Sequence, residues 1–482
     1  MTTVSRFPLL AIFILVALIA RAQTFGSPTI EFDEQFYLLV GDRMLSGALP
    51  YVDIWDRKPI GVFLIFAGIR SLGGDGVLAY QLVAALFVGC TALTIHTLTI
   101  LIGGKRFGAT CAAIGYILWL NLLQGEGGQA AVFYNLPVAI AALLVARTLL
   151  EPNRTPSLEL TGATAMILLG IAIQIKYTVV LEGIAFGIML LWAAHKRQRS
   201  LLRTGGLAIL CATVALTPTI AAVAYYAQIG HLGEFMFANF QSLALRGAPP
   251  IIAVLTDLFV GIAIIGLPLI AAIVGLRRRT ATADAKRFIT MWLIVAAISI
   301  IAIRTFSPHY FIPLTVPIMV AAGLAFGEYR KLSIALLGVA ALAGQGLLAY
   351  YDWAKGGRDE ARAMVAAIGQ VPNCLYVHNG FPSLYLLTNS CLPTRFVFPG
   401  LLNTQVEATA IGVNPSAEVK RILANKPDAI VTDLPVFSQG NRAIQALVES
   451  ALARDYHLVL KLKTGKNRYR LVYRINLPQR VN

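Results

Sequence analysis

Eleven apolar runs punctuate this chain, at residues 7–22, 77–102, 107–124, 131–149, 160–177, 178–194, 204–228, 251–276, 287–304, 310–328 and 332–350. Most reach or approach the roughly 20 residues that a helix needs to cross a hydrocarbon core. The pattern therefore predicts about eleven transmembrane helices. The loops between them alternate in charge. One set carries Lys105-Arg106, Lys196-Arg197, Arg277-Arg278-Arg279 and Arg330-Lys331, whereas the stretches 124–130 and 230–250 hold a single Lys or Arg between them, Arg246. Basic loops stay on the cytoplasmic side. The N-terminus is then expected in the cytoplasm, and an odd helix count leaves the C-terminus in the periplasm. The first run ends in Ala20-Arg21-Ala22, which reads either as a retained anchor or as a signal peptide with a small-x-small cleavage site. Both readings turn residues 23–76 outward.

Within that outer loop, Phe36, Leu39 and Val40 follow helical spacing and predict a helix over 33–45, stopped by Gly47 and Pro50. The apolar stretch 59–72 is short for a span and begins with Pro59. It reads as an interfacial or re-entrant helix. A twelfth span here would invert every later loop and put Arg277–Arg279 outside. From about Lys355 the pattern changes. Strand-like alternation at 375–378, 429–432, 457–462 and 469–475 is interleaved with helical stretches at 359–370, 416–425 and 441–453. The expected organisation is a transmembrane domain over 1–353, including the loop 23–76, and an extracytoplasmic α/β domain over 354–482.

Composition agrees with a membrane chain. Of the 482 residues 57% are hydrophobic and 13% charged, against about 45–50% and about 25% in soluble proteins. The net charge of +16 would suggest nucleic acid if it formed one patch on a soluble domain. Much of it lies in short loops between apolar runs, so no nucleic-acid partner is expected. Three of the five cysteines, Cys90, Cys111 and Cys211, fall inside apolar runs. Cys374 and Cys391 share the outer domain, where the compartment is oxidising. They are expected to form a disulfide; two unpaired thiols are the alternative. With no Cys-x-x-Cys and no His cluster, a zinc site is not expected.

The candidate chemistry lies in the outer loop. Asp33-Glu34 is followed by Tyr51-Val-Asp53-Ile-Trp-Asp56-Arg-Lys58-Pro59. An acidic pair after the first helix, a Tyr-x-Asp-x-x-Asp-x-Lys-Pro stretch, many helices and a C-terminal outer domain together resemble the C-type membrane glycosyltransferases. Within these the chain is similar to bacterial relatives of the dolichyl-phosphate-mannose–protein mannosyltransferases, which include the lipid A aminoarabinose transferases. The motif content is concentrated in residues 31–62. The resemblance implies a GT-C-like fold and transfer of a sugar, with inversion, from a polyprenyl-phosphate-linked donor. The acceptor, a lipid, glycan or protein, would be met on the outer face of the bacterial inner membrane. No cofactor and no metal are implied.

By the same resemblance Asp33 is the base that deprotonates the acceptor and Glu34 its partner. Chemistry agrees, since a hydroxyl is a poor nucleophile until a positioned carboxylate takes its proton. The plain alternative is that Asp33 caps a helix. Lys58 matches the lysine of the family's Lys-Pro-Pro motif, which would bind the carrier phosphate; here the second Pro is Ile60. Lys176, Arg304, His309 and Tyr310 are further candidates for the phosphate. Lys176 and Glu182 either form a pair joining two helices or contribute to phosphate binding. Asp53, Asp56, His231 and Arg246 are weaker candidates for substrate contact. Relatives carry another acidic residue in the stretch equivalent to 124–135; either Glu126 takes that place or the role is absent. Two other classes remain open: a non-catalytic membrane assembly protein, and a transporter or flippase of lipid-linked sugars. The latter would be expected to show internal repeats, which are not apparent.

Overall fold

The computed structural model describes residues 7–154, 157–437 and 439–476. A hydrophobic helix bundle opens with α1 (Phe7–Ala20). The outer loop then forms α2 (Phe32–Leu45) and α3 (Ile60–Arg70). The bundle continues through α4 (Gly76–Leu101), α5 (Arg106–Leu122), α6 (Ala130–Leu150), α7 (Leu158–Ile173), α8 (Val180–Lys196) and α9 (Leu201–Gln228). After the short α10 (Leu232–Met236) come α11 (Ile251–Leu276), α12 (Ala283–Ile303), α13 (Ile312–Phe326) and α14 (Arg330–Lys355). Each of the eleven apolar runs is thus a helix. Among the described residues, eight helical stretches are long and apolar enough to cross a membrane, while α1 and α7 are shorter apolar helices of 14 and 16 residues. α5 has 17 residues.

Local chemistry sets several starts. Asp75 Oδ1 accepts from the backbone N–H of Val77 at 2.9 Å at the head of α4, and Ser157, Ser200 and Thr282 play the same part for α7, α9 and α12. Prolines 137, 218, 268 and 317 lie inside α6, α9, α11 and α13, where neighbouring helices can re-satisfy the backbone.

The loop helices α2 and α3 lie side by side and run the same way. Lys58, just before α3, reaches Asp33 at the start of α2 at 3.2 Å, and Arg70 at the end of α3 meets Asp42 near the end of α2 at 2.8 Å. A Cβ at Gly41 would collide with the backbone at Phe66 and Ala67, so glycine permits this close approach. Pro59 is the N-cap of α3. With 11 residues and both ends tied to α2 and to Gly74, α3 is no twelfth span.

Beyond α14, a four-stranded sheet is built from β1 (Leu375–Val377), β2 (Ala429–Leu434), β3 (Tyr456–Thr464) and β4 (Arg468–Ile475). Its order is β1-β2-β4-β3; β1 and β2 are parallel and the other pairings antiparallel. Around it lie α15 (Arg358–Ile368), α16 (Ser383–Leu387), α17 (Pro399–Asn403), α18 (Pro415–Ala424) and α19 (Arg442–Asp455). A disulfide joins Cys374 to Cys391 with their Cα atoms 4.9 Å apart. This unit sits directly on the outer loop. Trp55 N–H donates to Arg395 O at 2.8 Å, Phe36 meets Phe398 edge to face, and Ser383 Oγ bonds Gln35 Oε1 at 3.0 Å.

Candidate active site

The first turn of α2 carries Asp33 and Glu34, and its N-cap is Glu31, so Asp33 does not cap the helix. Successive helical residues are about 100° apart, and the two carboxylates point to different places. Asp33 faces a narrow cavity that it lines with Lys58, Lys176, His309, Tyr310 and Glu182. A wider cleft of about 1640 Å³ shares Asp33, Lys58, Lys176, His309 and Tyr310 with it and opens past Asp56, Arg246 and Phe398. The inner cavity and its mouth therefore have one charged rim.

Lys58 is the hub of that rim. Its Nζ is 3.2 Å from Asp33 Oδ1 and 3.5 Å from Asp56 Oδ2, and it lies over the Tyr37 ring at 5.0 Å. Tyr51 fixes the loop behind it, its hydroxyl donating to Lys58 O at 2.8 Å. Burial pulls the lysine pKa down, but Asp33 and Asp56 more than reverse this, holding it well above its ordinary value. For Asp33, burial pushes the pKa up; Lys58, then His309 and Lys176, outweigh it, and the carboxyl stays below its usual range. Across the cavity Lys176 Nζ stands 5.1 Å from the Tyr310 ring centre, and His309 and Tyr310 have ring centres 4.2 Å apart. His309 Nδ1 lies 3.5 Å from Gln124 Oε1. Lys176 thus turns to Tyr310 rather than to Glu182, whose carboxylate faces Ser299 Oγ at 3.4 Å.

Glu34 points away from the rim. It is fully buried, with Oε1 accepting from Tyr80 at 3.2 Å and Oε2 from the backbone N–H of Gly128. A Cβ at Gly127 would overlap both of its carboxylate oxygens. Burial, then Glu126 and Glu31, push its pKa well above the carboxylate range. Glu126 lines a separate small cavity with Thr29, Tyr351 and Lys355, and burial and the Glu31 charge raise its pKa to about 7. Buried Arg21 holds that loop through the carbonyls of Gly125 and Glu126, at 3.0 Å each.

The remaining candidates fall outside the inner cavity. Arg246 sits at the cleft mouth, bonded to Glu407 Oε1 at 2.8 Å. Asp53 is exposed and accepts from the backbone N–H of Leu49 at 2.8 Å, and His231 pairs with Glu234 at 3.4 Å. Arg304, exposed in a left-handed conformation at the end of α12, lines neither cavity. Sequence reasoning missed Tyr37, Gln129 and Tyr134, which line the inner cavity. Tyr37 lies four residues after Asp33, on the same helix face, a signal that was there to be read. It also missed Arg57, which forks onto Glu407 at 3.1 and 2.6 Å from 350 residues away. Among the described residues, no group of three or more His, Cys, Asp or Glu is arranged to hold a metal ion.

No family model and no curated protein sequence matches the chain. Solved structures do. ArnT from Cupriavidus metallidurans bound to undecaprenyl phosphate superposes with a TM-score of 0.56 at 14% identity, covering 98% of both chains. Its apo state gives 0.61 at 13% identity, with 97% of each chain covered. The Archaeoglobus fulgidus oligosaccharyltransferase, tethered with an acceptor peptide containing the NVT sequon, gives 0.56 at 11% identity, covering 97% of this chain and 74% of that one. The chain therefore has the fold of these polytopic, GT-C-type membrane proteins, with a small C-terminal sheet.

Proposed function

We propose that this protein is a glycosyltransferase of the bacterial inner membrane that moves a sugar, with inversion, from a polyprenyl-phosphate-linked donor to an acceptor on the periplasmic side. The observation that carries the reading is the convergence of Asp33 with Lys58, Lys176 and His309 on one cavity at the end of an apolar bundle. It is supported by the likeness in fold to a protein solved with undecaprenyl phosphate. Lys58 and Lys176 suit a phosphate that gains negative charge as it leaves, while Tyr310 and Tyr37 steer the two ammonium groups from below.

In this mechanism Asp33 accepts the proton of the acceptor hydroxyl as its oxygen bonds to the anomeric carbon. The bond from that carbon to the phosphate oxygen breaks, and its electron pair leaves with the polyprenyl phosphate. The Asp33–Lys58 pair gives the order of events a physical basis. A carboxylate held by an ammonium is ionised but weakly basic. When the donor phosphate draws Lys58 to itself, Asp33 loses part of that stabilisation and becomes the stronger base. Asp56 stays beside Lys58 and keeps it charged. The disposition that best fits the charge pattern has the N-terminus in the cytoplasm, α1, α5 and α7 completing eleven spans, and residues 354–482 forming the periplasmic domain.

The test is transfer of radiolabelled sugar from undecaprenyl-phosphate carriers by the purified protein. Asp33→Asn should lower kcat by roughly 10²–10⁴-fold while donor binding holds. Lys58→Ala should weaken both. Full turnover by Asp33→Asn, or no transfer from any carrier by the wild type, would overturn the reading.

A further inference from the structure

Glu182 is a buried carboxylate that the proposed transfer leaves unused. It sits in the first turn of α8, is 3% exposed, and lines the inner cavity rather than the outer cleft. Among the described residues its one side-chain hydrogen bond comes from Ser299 Oγ, at a long 3.4 Å. Among the described residues no cation pairs with it, and Lys176, six positions earlier, turns to Tyr310. An ionisable group kept at such a place is costly and calls for a function.

The walls around Glu182 say what the cavity would hold. Gln129, Tyr134, Thr178 and Ser299 line it together with apolar Ile300 and Pro313. Hydroxyls, an amide and a carboxylate set among aliphatic surface suit a ring with polar edges and apolar faces. Lys58 and Lys176 lie at the rim common to both cavities. The other carboxylates that face the cleft, Glu31, Asp33, Asp56 and Glu407, are each paired with a lysine or arginine, whereas Glu182 lines only the inner cavity and is unpaired among the described residues. A phosphate is drawn to that rim and repelled by Glu182. A group attached to the phosphate would therefore project inward, away from the cleft.

Resting on the transferase reading, we infer that the inner cavity is the donor-sugar subsite and that Glu182 selects the sugar, accepting hydrogen bonds from its ring hydroxyls. The subsite takes a neutral sugar and disfavours a uronic acid, whose carboxylate would meet Glu182 without a counter-ion. A site built to accept from hydroxyls discriminates strongly against ligands that lack them, because its own polar groups are then left unpaired. The structural alternative is that Glu182 and Ser299 merely join α8 to α12.

Native mass spectrometry of the full-length protein in detergent separates these. The probes are bare undecaprenyl phosphate and the same carrier bearing glucose, galactose, mannose or glucuronic acid. The wild type should bind at least one neutral hexosyl carrier more tightly than the bare carrier, and the glucuronyl carrier least. Glu182→Gln should lose about tenfold in affinity for the preferred hexosyl carrier and leave the bare carrier within about threefold. Ser299→Ala keeps the carboxylate and should lose less than Glu182→Gln. Equal loss for bare and hexosyl carriers, an unchanged hexosyl preference in Glu182→Gln, or a Ser299→Ala loss as large would overturn this inference and leave the transferase reading standing. Failure of the wild type to bind any carrier would overturn both.

Discussion

Asp33 and Glu34 are neighbours in sequence and occupy different electrostatic worlds. One lies beside an ammonium on the rim of a cavity; the other is fully buried against Tyr80 and a backbone amide. The acid limb of kcat/KM reports the free enzyme, so with Asp33 as base it should lie below the ordinary aspartate value of about 3.9. Lys58→Ala removes the cation that favours the ionised form, and the limb should move to higher pH. A limb that stays in place in Lys58→Ala would take Asp33 out of the titration. The sequence made the pair conspicuous but not its division, because the 100° step between adjacent helical residues matters only once the helix has neighbours on both sides. Tyr37 is the opposite case: its spacing from Asp33 was readable, and only the cavity gives it meaning. The Lys176–Glu182 spacing suggested a pair, and the aromatic face of Tyr310 competes for the lysine.

Among elements, the helices and strands were legible, since apolar runs and alternation are local properties. The contacts that hold the C-terminal unit over the outer loop were not. Arg57, Arg246 and Glu407 form a triad whose members come from the Lys58 loop, the segment after α10 and the turn after α17, and no local pattern links them. Burial raises the Glu407 pKa, but hydrogen bonding and charge from Arg57, then Arg246, hold it below the usual range. Glu407 is 7% and Arg57 19% exposed in their side chains. Glu407→Ala should therefore cost about 3 kcal/mol, much of it from leaving two cations unpaired. The folded state holds this carboxyl's proton less tightly than the unfolded one. Its contribution is complete above the ordinary glutamate value and is lost as pH falls through the lower folded value. Thermal unfolding of wild type and Glu407→Ala should therefore converge in acid; a constant difference between pH 3 and 7 would remove Glu407 from the linkage. The Cys374–Cys391 bond closes a 17-residue separation around β1 and α16, and Cys374→Ser with Cys391→Ser should cost about 3 kcal/mol by the same measurement.

At the scale of the whole molecule, charge and chemistry separate to opposite ends of the bundle. Lys105 meets Glu328 at 2.9 Å and Lys196 lies over Trp192 where α8 ends, while Gly103 packs against Thr280 between α11 and α12. At the other end Arg21 grips the 125–126 carbonyls, Lys355 pairs with Glu31, and the cavities open. A bilayer between these ends would leave the basic loops on one side and the sheet on the other. Alternation of loop charge was enough to suggest this from sequence, because the positive-inside preference acts on loops and not on packing. Cysteines introduced at exposed Arg279 and exposed Lys420 test it in intact cells. A membrane-impermeant maleimide should label position 420 and spare position 279 until the membrane is opened. Because the helices alternate direction, one misplaced span between α1 and α11 would reverse position 279, whereas an error after α12 would reverse position 420 alone. Labelling of 279 from outside would thus break the eleven-span arrangement in its first part. Were the misplaced span α1, the one that precedes the outer loop, the Asp33–Lys58 rim would also lie on the wrong face for a periplasmic acceptor; a misplaced span from α4 to α11 would leave the rim outside.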